Sequence, residues 1–490
     1  MLRPPRRWSK RPRRMLRRCL GKTIAIMSAP EVEDVPARLT ALLRRHGWNA
    51  TSFQLREPGF LLFWPDDDAC VGYFDTGAAW VAAGAPLAAP DRLAEVAAAF
   101  VAAARRAGRR ACFFAVERRF AEQCNLRALP IGDQAVWDPQ AWAGIVSGSR
   151  GLREQLRRAR AKGVEVRAAH LTDGSAAARA TLRTLESITH QWLSTREMAP
   201  MEFLVRVEPL VVLPEHRVYV AARDGRIVAF LQLTPIFARP GWLFQNLVRS
   251  PDAPNGTAEL MIDAALRAAA AEGCRYVTLG LAPLSGDVPG PLRMARRLGR
   301  VLFDFAGLRA FRARLRPSAW TQQYVCFPPR QSPSRSLLDV LSAFARGSLP
   351  RFAWRSLLRG PLVLVRLMGV LLIPWTVALA LADPGWFPRP WIKTFWIAFD
   401  VVVLAGLLRL GQRWSQRLAR ALNWAIAADA VASAVEAVAW NIRPGMRPHE
   451  PLVVAAALFA PAFAAFVLYR ARARHAASHA LSAGSSAAPP

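Results

Sequence analysis

The stretch "GWLFQNLVRSPDAPNGTAELMIDAALRAAAAEGCRYVTLGL", residues 241 to 281, decides the fold. "GWLFQNLV" is a short apolar run of strand type, and Pro251 and Pro254 stop it. "TAELMIDAALRAAAAEG" follows as a helix, and "CRYVTLGL" closes the unit as another strand. Just upstream, "HRVYVAARDGRIVAFLQLTPI" (216 to 236) reads as a hairpin turning at Asp224-Gly225. Arg249 ends its strand a few residues before Asn255-Gly256-Thr257. A guanidinium and the backbone N–H groups of a helix N-terminus are therefore expected to face one anion or oxyanion. The alternative on residues alone is an ordinary loop, with Thr257 as a helix cap and Arg249 solvated.

The same plan occurs earlier in the chain. "GFLLFWPDDDACVGYFDTGAAWVAAGAPL" (59 to 87) alternates like antiparallel strands, "DRLAEVAAAFVAAARRAG" (91 to 108) is helical, and "RACFFAVE" (110 to 117) is a buried strand. Two such units suggest a duplicated α/β (α+β) fold. The triple Asp at 66 to 68 reads as a solvated hairpin turn rather than a metal site, because no His or further carboxylate stands near it. Six cysteines (19, 70, 112, 124, 274, 326) form no CxxC pair and no zinc spacing, so they read as reduced core thiols and no metal is expected.

At 490 residues, two or more domains are expected. A formal net charge of +31 points to a polyanionic partner, nucleic acid or an anionic lipid surface. The apolar residues concentrate at the C-terminus, in four stretches beginning at Leu362, Trp391, Ala421 and Pro451, each about long enough to cross a bilayer. Arginines precede the first stretch, lie between the second and third, and follow the fourth. The positive-inside rule then puts the N-terminal body and the C-terminus in the cytoplasm of a multi-pass cell-membrane protein. Asp429 and Glu436 share one face of the third stretch and Asp400 lies within the second, so a polar seam is expected, either for lipid headgroups or for helix pairing. The opening "MLRPPRRWSKRPRRMLRRCLGKT" reads as a disordered basic arm, or as residues before a true start at Met27; a membrane- or RNA-binding tail is the alternative.

Between the units, "SGSRGLREQLRRARAKGVEV" (147 to 166) puts Arg150, Arg153, Arg157 and Arg160 on one helical face beside an apolar stripe of Leu152, Leu156 and Ala159. Four stacked guanidiniums with only Glu154 to offset them suit phosphate contact.

These residues carry a resemblance. "IGDQAVWD" (131 to 138), "LREQLRRARAKGVEV" (152 to 166), "LESITHQWL" (185 to 193), "APNGTAEL" (253 to 260), "VTLGLAPLSG" (277 to 286) and "GLRAFRARLRPSAWTQQYV" (307 to 325) together resemble the synthase domain of the lysylphosphatidylglycerol synthase family. The resemblance implies tandem GNAT-like acyltransferase domains joined by a basic helix, here followed by a four-helix transmembrane region. The implied boundaries are a basic arm 1–30, domains 31–148 and 167–328, a connecting helix 149–166, a linker 329–360, spans 361–471 and a disordered tail 472–490. The implied activity moves an aminoacyl group from aminoacyl-tRNA to a phospholipid hydroxyl such as that of phosphatidylglycerol, with no cofactor. Its partners would be aminoacyl-tRNA and the anionic phospholipid membrane.

The candidate residues are Arg249, Asn246, Gly256 and Thr257 at the reacting centre, and Arg309, Arg312, Arg314, Ser285 and Glu259 for substrate. The basic row 150, 153, 157 and 160 is the candidate for tRNA phosphates. The family usually has an acid just before the apolar pair and arginine that end the strand, where this chain has Gln245 and Asn246. A general base is not identified; His190 and His216 are available. An acyl-CoA-dependent N-acyltransferase is the alternative, but "DAPNGTAEL" has one glycine where a pyrophosphate loop has several. A non-catalytic membrane or RNA-binding relative is the third possibility.

Overall fold

The computed structural model describes residues 29–196, 198–299, 305–359, 361–412, 414–442 and 450–484, so the basic arm falls almost wholly outside the described residues. Apolar runs, most of them buried on both faces, build the strands β1 (Leu61–Asp66), β2 (Ala69–Asp75), β3 (Ala79–Ala83), β4 (Arg110–Glu117), β5 (Arg127–Trp137), β6 (Val164–Ala169), β7 (Arg217–Arg223), β8 (Arg226–Ile236), β9 (Gly241–Arg249), β10 (Tyr276–Pro283) and β11 (Ala319–Phe327). The helices of the body are α1 (Ala29–His46), α2 (Leu93–Arg106), α3 (Arg118–Gln123), α4 (Trp142–Gly148), α5 (Arg150–Ala161), α6 (Ala176–Ser194), α7 (Thr257–Ala271), α8 (Gly290–Gly299) and α9 (Phe305–Arg314). A short 3-10 turn, Ser52–Arg56, precedes β1.

All eleven strands form one sheet in the order β1-β2-β3-β4-β11-β5-β10-β9-β8-β7-β6. A pattern repeats within it. The pairs β1/β2 and β2/β3 are antiparallel, β3/β4 is parallel and β4/β11 is antiparallel. Likewise β7/β8 and β8/β9 are antiparallel, β9/β10 is parallel and β10/β5 is antiparallel. Each half therefore ends on a strand from the other, and β5 and β11 pair in the middle. A boundary drawn by residue number at 148 or 167 does not divide the sheet, because β11 lies between β4 and β5. The turns follow their residues. Asp224 and Gly225, at φ 50 and 73, link β7 to β8. Asp66, Asp67 and Asp68 at the β1/β2 turn are opposed by Arg92, Arg38 and Arg45, at 2.5, 2.8 and 3.1 Å.

Side chains of β11 separate the two faces. Trp320, Tyr324 and Cys326 join clusters with α2, α3, α4, α5 and α7, whereas Val325 and Phe327 join one with α1, Phe53 of the 3-10 turn and a later helix. On that second face α6 covers β7, β8 and β9 through Leu185, Ile188, Val218, Phe230 and Val248.

The segment expected to be a linker instead folds as α10 (Pro333–Phe344) and α11 (Leu349–Arg359). Pro333 in the first turn of α10 suits a helix start, and its apolar spacing buries Val340 and Ala343. The apolar C-terminal part forms α12 (Pro361–Leu381), α13 (Pro390–Gln412), α14 (Gln416–Glu436) and α15 (Glu450–Gly484). Three helical stretches are long and apolar enough to cross a membrane, Pro390–Gly411, Gln416–Asn441 and Val453–Ala473. The expected fourth corresponds to α12, whose apolar run among the described residues is the shorter Leu367–Leu381. The expected disordered tail is helical as far as Gly484, in keeping with its alanines. Carboxylates of these helices meet neighbouring donors. Thr376 Oγ1 lies 3.4 Å from Asp400, Trp396 Nε1 donates to Glu436 at 2.9 Å, and Ser433 donates to Asp429 at 3.0 Å.

Candidate active site

The two parallel strand pairs are not alike. Only Tyr276, Val277 and Thr278 of β10 face Gly241, Trp242 and Leu243 of β9, after which the strands part. Both strands are irregular there. Gln245 is an extra residue in β9, since Gln232 opposes Asn246 and Leu233 opposes Phe244. In β10 the register against β5 shifts between Thr278 and Leu281, around Gly280 at φ 72. The carbonyls of Leu279 and Gly280 in this segment accept from Arg312 Nη2 and Nη1 of α9, at 2.6 and 2.8 Å. Arg312 is 6% exposed, and burial lowers its pKa to about 10, which leaves it charged at neutral pH. The expected phosphate ligand is thus a prop for the opening, a planar fork matched to two carbonyls.

The β9 bulge also puts two consecutive polar side chains, Gln245 and Asn246, toward the face that carries the 3-10 turn. Gln245 Nε2 donates to Glu57 Oε1 at 2.8 Å, and its Oε1 accepts from the Thr234 hydroxyl. Asn246 Nδ2 donates to Gln232 Oε1 at 2.8 Å; Gln232 Nε2 donates to the Val211 carbonyl at 2.7 Å and lies 2.9 Å from His216 Nδ1. The Leu213 N–H also donates to that Nδ1, at 3.0 Å, so a neutral His216 carries its proton on Nε2. Burial lowers the His216 pKa to about 4, and no described residue meets its buried Nε2. Such a ring is a donor, not a base. Glu57 is 7% exposed, and burial pushes its pKa up against the pull of the Gln245 amide and the Arg206 charge. Nothing in the sequence marked Glu57, because an acid before Pro58-Gly59 looks like any loop acid.

Arg249 stands exposed at the end of β9 and makes no hydrogen bond or ion pair with a described residue. Its charge is felt by Arg196 just beyond α6, whose pKa is lowered by burial and by Arg249 and whose guanidinium stacks 4.2 Å over Trp192. Two exposed cations that feel each other's charge, without a bonded carboxylate among the described residues, are complementary to an anion.

The other expected residues are distributed differently. Gly256 has φ 94, and a Cβ there would come within 2.6 Å of the Gln155 carbonyl, so its bareness lets α5 lie across the start of α7. Thr257 is fully buried, and its hydroxyl and N–H both turn back to the Pro254 carbonyl, at 2.7 and 3.2 Å. Among the described residues no hydrogen bond or ion pair joins the Arg249 side chain to this turn, and Glu259 sits half-buried in the first turn of α7. Ser285 accepts from the Asp133 N–H at 3.1 Å and donates to the Ala282 carbonyl at 2.8 Å. Arg309 lies 4.7 Å over the Trp320 ring and 3.9 Å from Asp133, whose pKa burial raises and Arg309 opposes. Arg314 is exposed.

Along α5 the arginine row is partly engaged. Arg153 donates to the carbonyls of Val146 and Ser147, and Arg157 and Arg158 share Glu154 at 2.9 and 2.7 Å. Arg160 reaches Asp263 of α7 at 3.1 Å, a buried carboxylate that also accepts from Trp142 and Arg267. Arg150 is exposed. His190, the other available histidine, is exposed and 3.7 Å from Glu208.

Comparison with known proteins bears on this geometry. The family described as phosphatidylglycerol lysyltransferase, C-terminal, matches residues 39–327. The phosphatidylglycerol lysyltransferase of Bacillus subtilis (strain 168) is 25% identical over 322 residues, 62% of this chain and 36% of that protein. The chain thus spans about a third of that relative's length. Among solved structures, the C-terminal domain of a putative lysylphosphatidylglycerol synthetase from Agrobacterium fabrum is similar at a TM-score of 0.53 and 25% identity, over 64% of this chain and 96% of that one. L-PGS from Bacillus licheniformis shares the fold at a TM-score of 0.55 and 22% identity, over 64% of this chain and 98% of that one.

Proposed function

The chain belongs to the phosphatidylglycerol lysyltransferase C-terminal family, and from that premise we propose that it is a membrane-bound aminoacyltransferase, moving an aminoacyl group from aminoacyl-tRNA to a phospholipid hydroxyl such as that of phosphatidylglycerol. The observation that carries this proposal is the opening between β9 and β10, propped by Arg312 and flanked by Gln245, Asn246 and Glu57.

The chemistry is a transesterification. The lipid hydroxyl oxygen bonds to the ester carbonyl carbon, the bond from that carbon to the tRNA ribose oxygen breaks, and the hydroxyl proton ends on the ribose oxygen. The ester is already activated, so the protein supplies position and charge. Glu57 is the acid for the aminoacyl ammonium. Its charged form is disfavoured by burial, so it gains most from a cation, and it approaches β9 where the strand itself offers Gln245 and Asn246. Asn246 has a second amide N–H beyond the one given to Gln232, available to the developing oxyanion. Arg249 with Arg196 binds a phosphate of the tRNA 3′ end or of the lipid.

Two features favour tRNA over an acyl-CoA donor. α5 covers the N-terminus of α7, where a pyrophosphate would otherwise sit, and it carries the exposed side of the arginine row. The repeated pairing pattern supports tandem GNAT-like domains with exchanged final strands. With α12 counted as a fourth span, the arginine asymmetry supports cytoplasmic placement of the body and C-terminus.

Lipids from a host lacking aminoacylated lipids, compared with and without this protein by mass spectrometry, test the proposal. A new aminoacylated lipid that disappears with Arg249→Ala is expected; an unchanged lipid profile with folded, membrane-inserted protein would sink it.

A further inference from the structure

We infer that α10 and α11 form a docking surface for anionic phospholipid headgroups, seating the body on the bilayer beside its membrane helices. The inference concerns residues beyond the 39–327 family match and does not depend on the reaction proposed above.

It starts from which side chains these helices hide. α10 buries Ser336, Asp339, Val340 and Ala343, at helical spacing, and Arg110 of β4 clamps Asp339 through two bonds of 2.6 and 2.8 Å. One face of α10 is therefore fixed to the sheet. On the opposite face Leu338 and Leu341, about 60° apart by helix geometry, are each 52% exposed. α11 is tied down in the same way, its Ser356 hydroxyl accepting from the Ala199 N–H at 3.1 Å. Trp354 lies two residues before Ser356, hence on the far side, and is 58% exposed. Three large apolar side chains are thus exposed, two opposite the face by which α10 packs on the sheet and one on the side of α11 away from Ser356.

The charge around them is one-sided. Residues 329–359 contain six arginines and a single acid, Asp339, which is buried against Arg110. Arg335, Arg351 and Arg355 are exposed around the apolar residues, and Arg346, also exposed, lies 3.6 Å from Glu202. Exposed leucines and a tryptophan rimmed by arginines suit the boundary between headgroups and acyl chains of an anionic bilayer, with the indole at the interface and the guanidiniums on phosphates. The position agrees, because α11 ends at Arg359 and α12 begins at Pro361.

The test uses the full chain in lipid nanodiscs. The five cysteines among the described residues are buried, so with Cys19→Ser an environment-sensitive dye can be placed through Leu338→Cys, Leu341→Cys or, as a surface control, Asp67→Cys. In discs containing phosphatidylglycerol, labels at 338 and 341 are expected to emit at shorter wavelength and to be quenched by bilayer nitroxides, while the label at 67 stays water-like. In discs of phosphatidylcholine alone, or at high salt, both effects should weaken. Water-like emission at 338 and 341 in anionic discs overturns the inference. So does shielding that ignores lipid charge and rises with protein-to-disc ratio, which would identify a second copy of the chain as the occupant. Because dye emission needs no substrate, failure of aminoacyl transfer and failure of docking are separate outcomes.

Discussion

The two halves of the sheet use the same succession of strand pairings, yet one is closed and the other open. In the first, all of β3 pairs with β4, from Ala79 opposite Arg110 to Ala83 opposite Phe114, and the Gly84 N–H extends the ladder to the Phe114 carbonyl. Apart from Arg110, its facing residues are apolar, with Val81 and Cys112 fully buried. In the second, β9 and β10 stay together for three pairs and then separate around a bulge, a left-handed glycine and a buried arginine. Zipping the strands satisfies the backbone with backbone. Opening them leaves carbonyls that an inserted side chain must satisfy, and frees polar groups on β9 to face a substrate. The first half therefore supplies core and the second supplies the site, with Glu57 reaching across from one to the other.

The prop is the sharpest place to break this contrast. Arg312→Met leaves the Leu279 and Gly280 carbonyls without their donor, at about 1–3 kcal/mol each, and should abolish transfer as the opening collapses or floods. Arg312→Lys should be nearly as harmful, since one ammonium cannot reproduce the fork. Val81→Ala in the zipped half should cost about 1–3 kcal/mol of stability but leave transfer per folded molecule intact. Denaturant melts with single-turnover assays of labelled aminoacyl-tRNA distinguish these outcomes. Full activity in Arg312→Met would show that the opening needs no prop.

Next in size is Glu57→Gln. The shape and the Gln245 contact can persist, but the charge opposite the aminoacyl ammonium is lost, and transfer should fall on the order of a hundredfold. The loss should appear with aminoacyl-tRNA and not in lipid KM. An unchanged rate would leave Glu57 as a strut between the halves.

Local pattern made much of this architecture legible, and its failures are physical. Alternation and turn chemistry located β1, β2, β7 and β8, and helical spacing located α2 and α7. β5 carries Pro130, Gly132 and Asp133, and β11 carries Thr321, Gln322 and Gln323, so neither looks like a central strand although both are. Their exchange between halves is a long-range fact that no window of sequence holds. Arg312 looked like a phosphate ligand because it shares a helix with Arg309 and Arg314. The basic row looked unopposed because Asp263, which holds Arg160, is 103 residues away. Asn246 drew notice in the sequence because it stands where the family usually has an acid, whereas Glu57 needed the fold to bring it near.

A smaller effect separates the two crossover helices. α2 starts after a 3-10 turn with Pro90, while α7 starts under α5 at a glycine that meets the Gln155 carbonyl. Gly256→Val combines a strained positive φ with that clash and should cost about 2–4 kcal/mol. Transfer should fail through a displaced α5, measured as faster proteolysis between 149 and 163 as well as lost stability. Wild-type stability would mean that α5 packs more loosely on α7 than this geometry requires.

The smallest expected effect is on pH dependence. The buried thiols of the zipped half, such as Cys70 and Cys112, have pKa values that burial pushes up, so they stay neutral through acid and neutral pH. The open half buries His216, whose pKa falls from an ordinary 6.5 to about 4. Between those values the unfolded chain binds the proton and the folded chain does not. The stabilisation is therefore complete above about pH 6.5 and is lost as pH falls toward 4, by about 2 kcal/mol between pH 7 and pH 5. His216→Gln should lower stability at neutral pH and flatten that slope, read from melts at pH 5, 6 and 7. An equal slope in the variant would mean that the charge entering the open half on acidification is not on this ring, and that Asn246 and Gln232 are held independently of it.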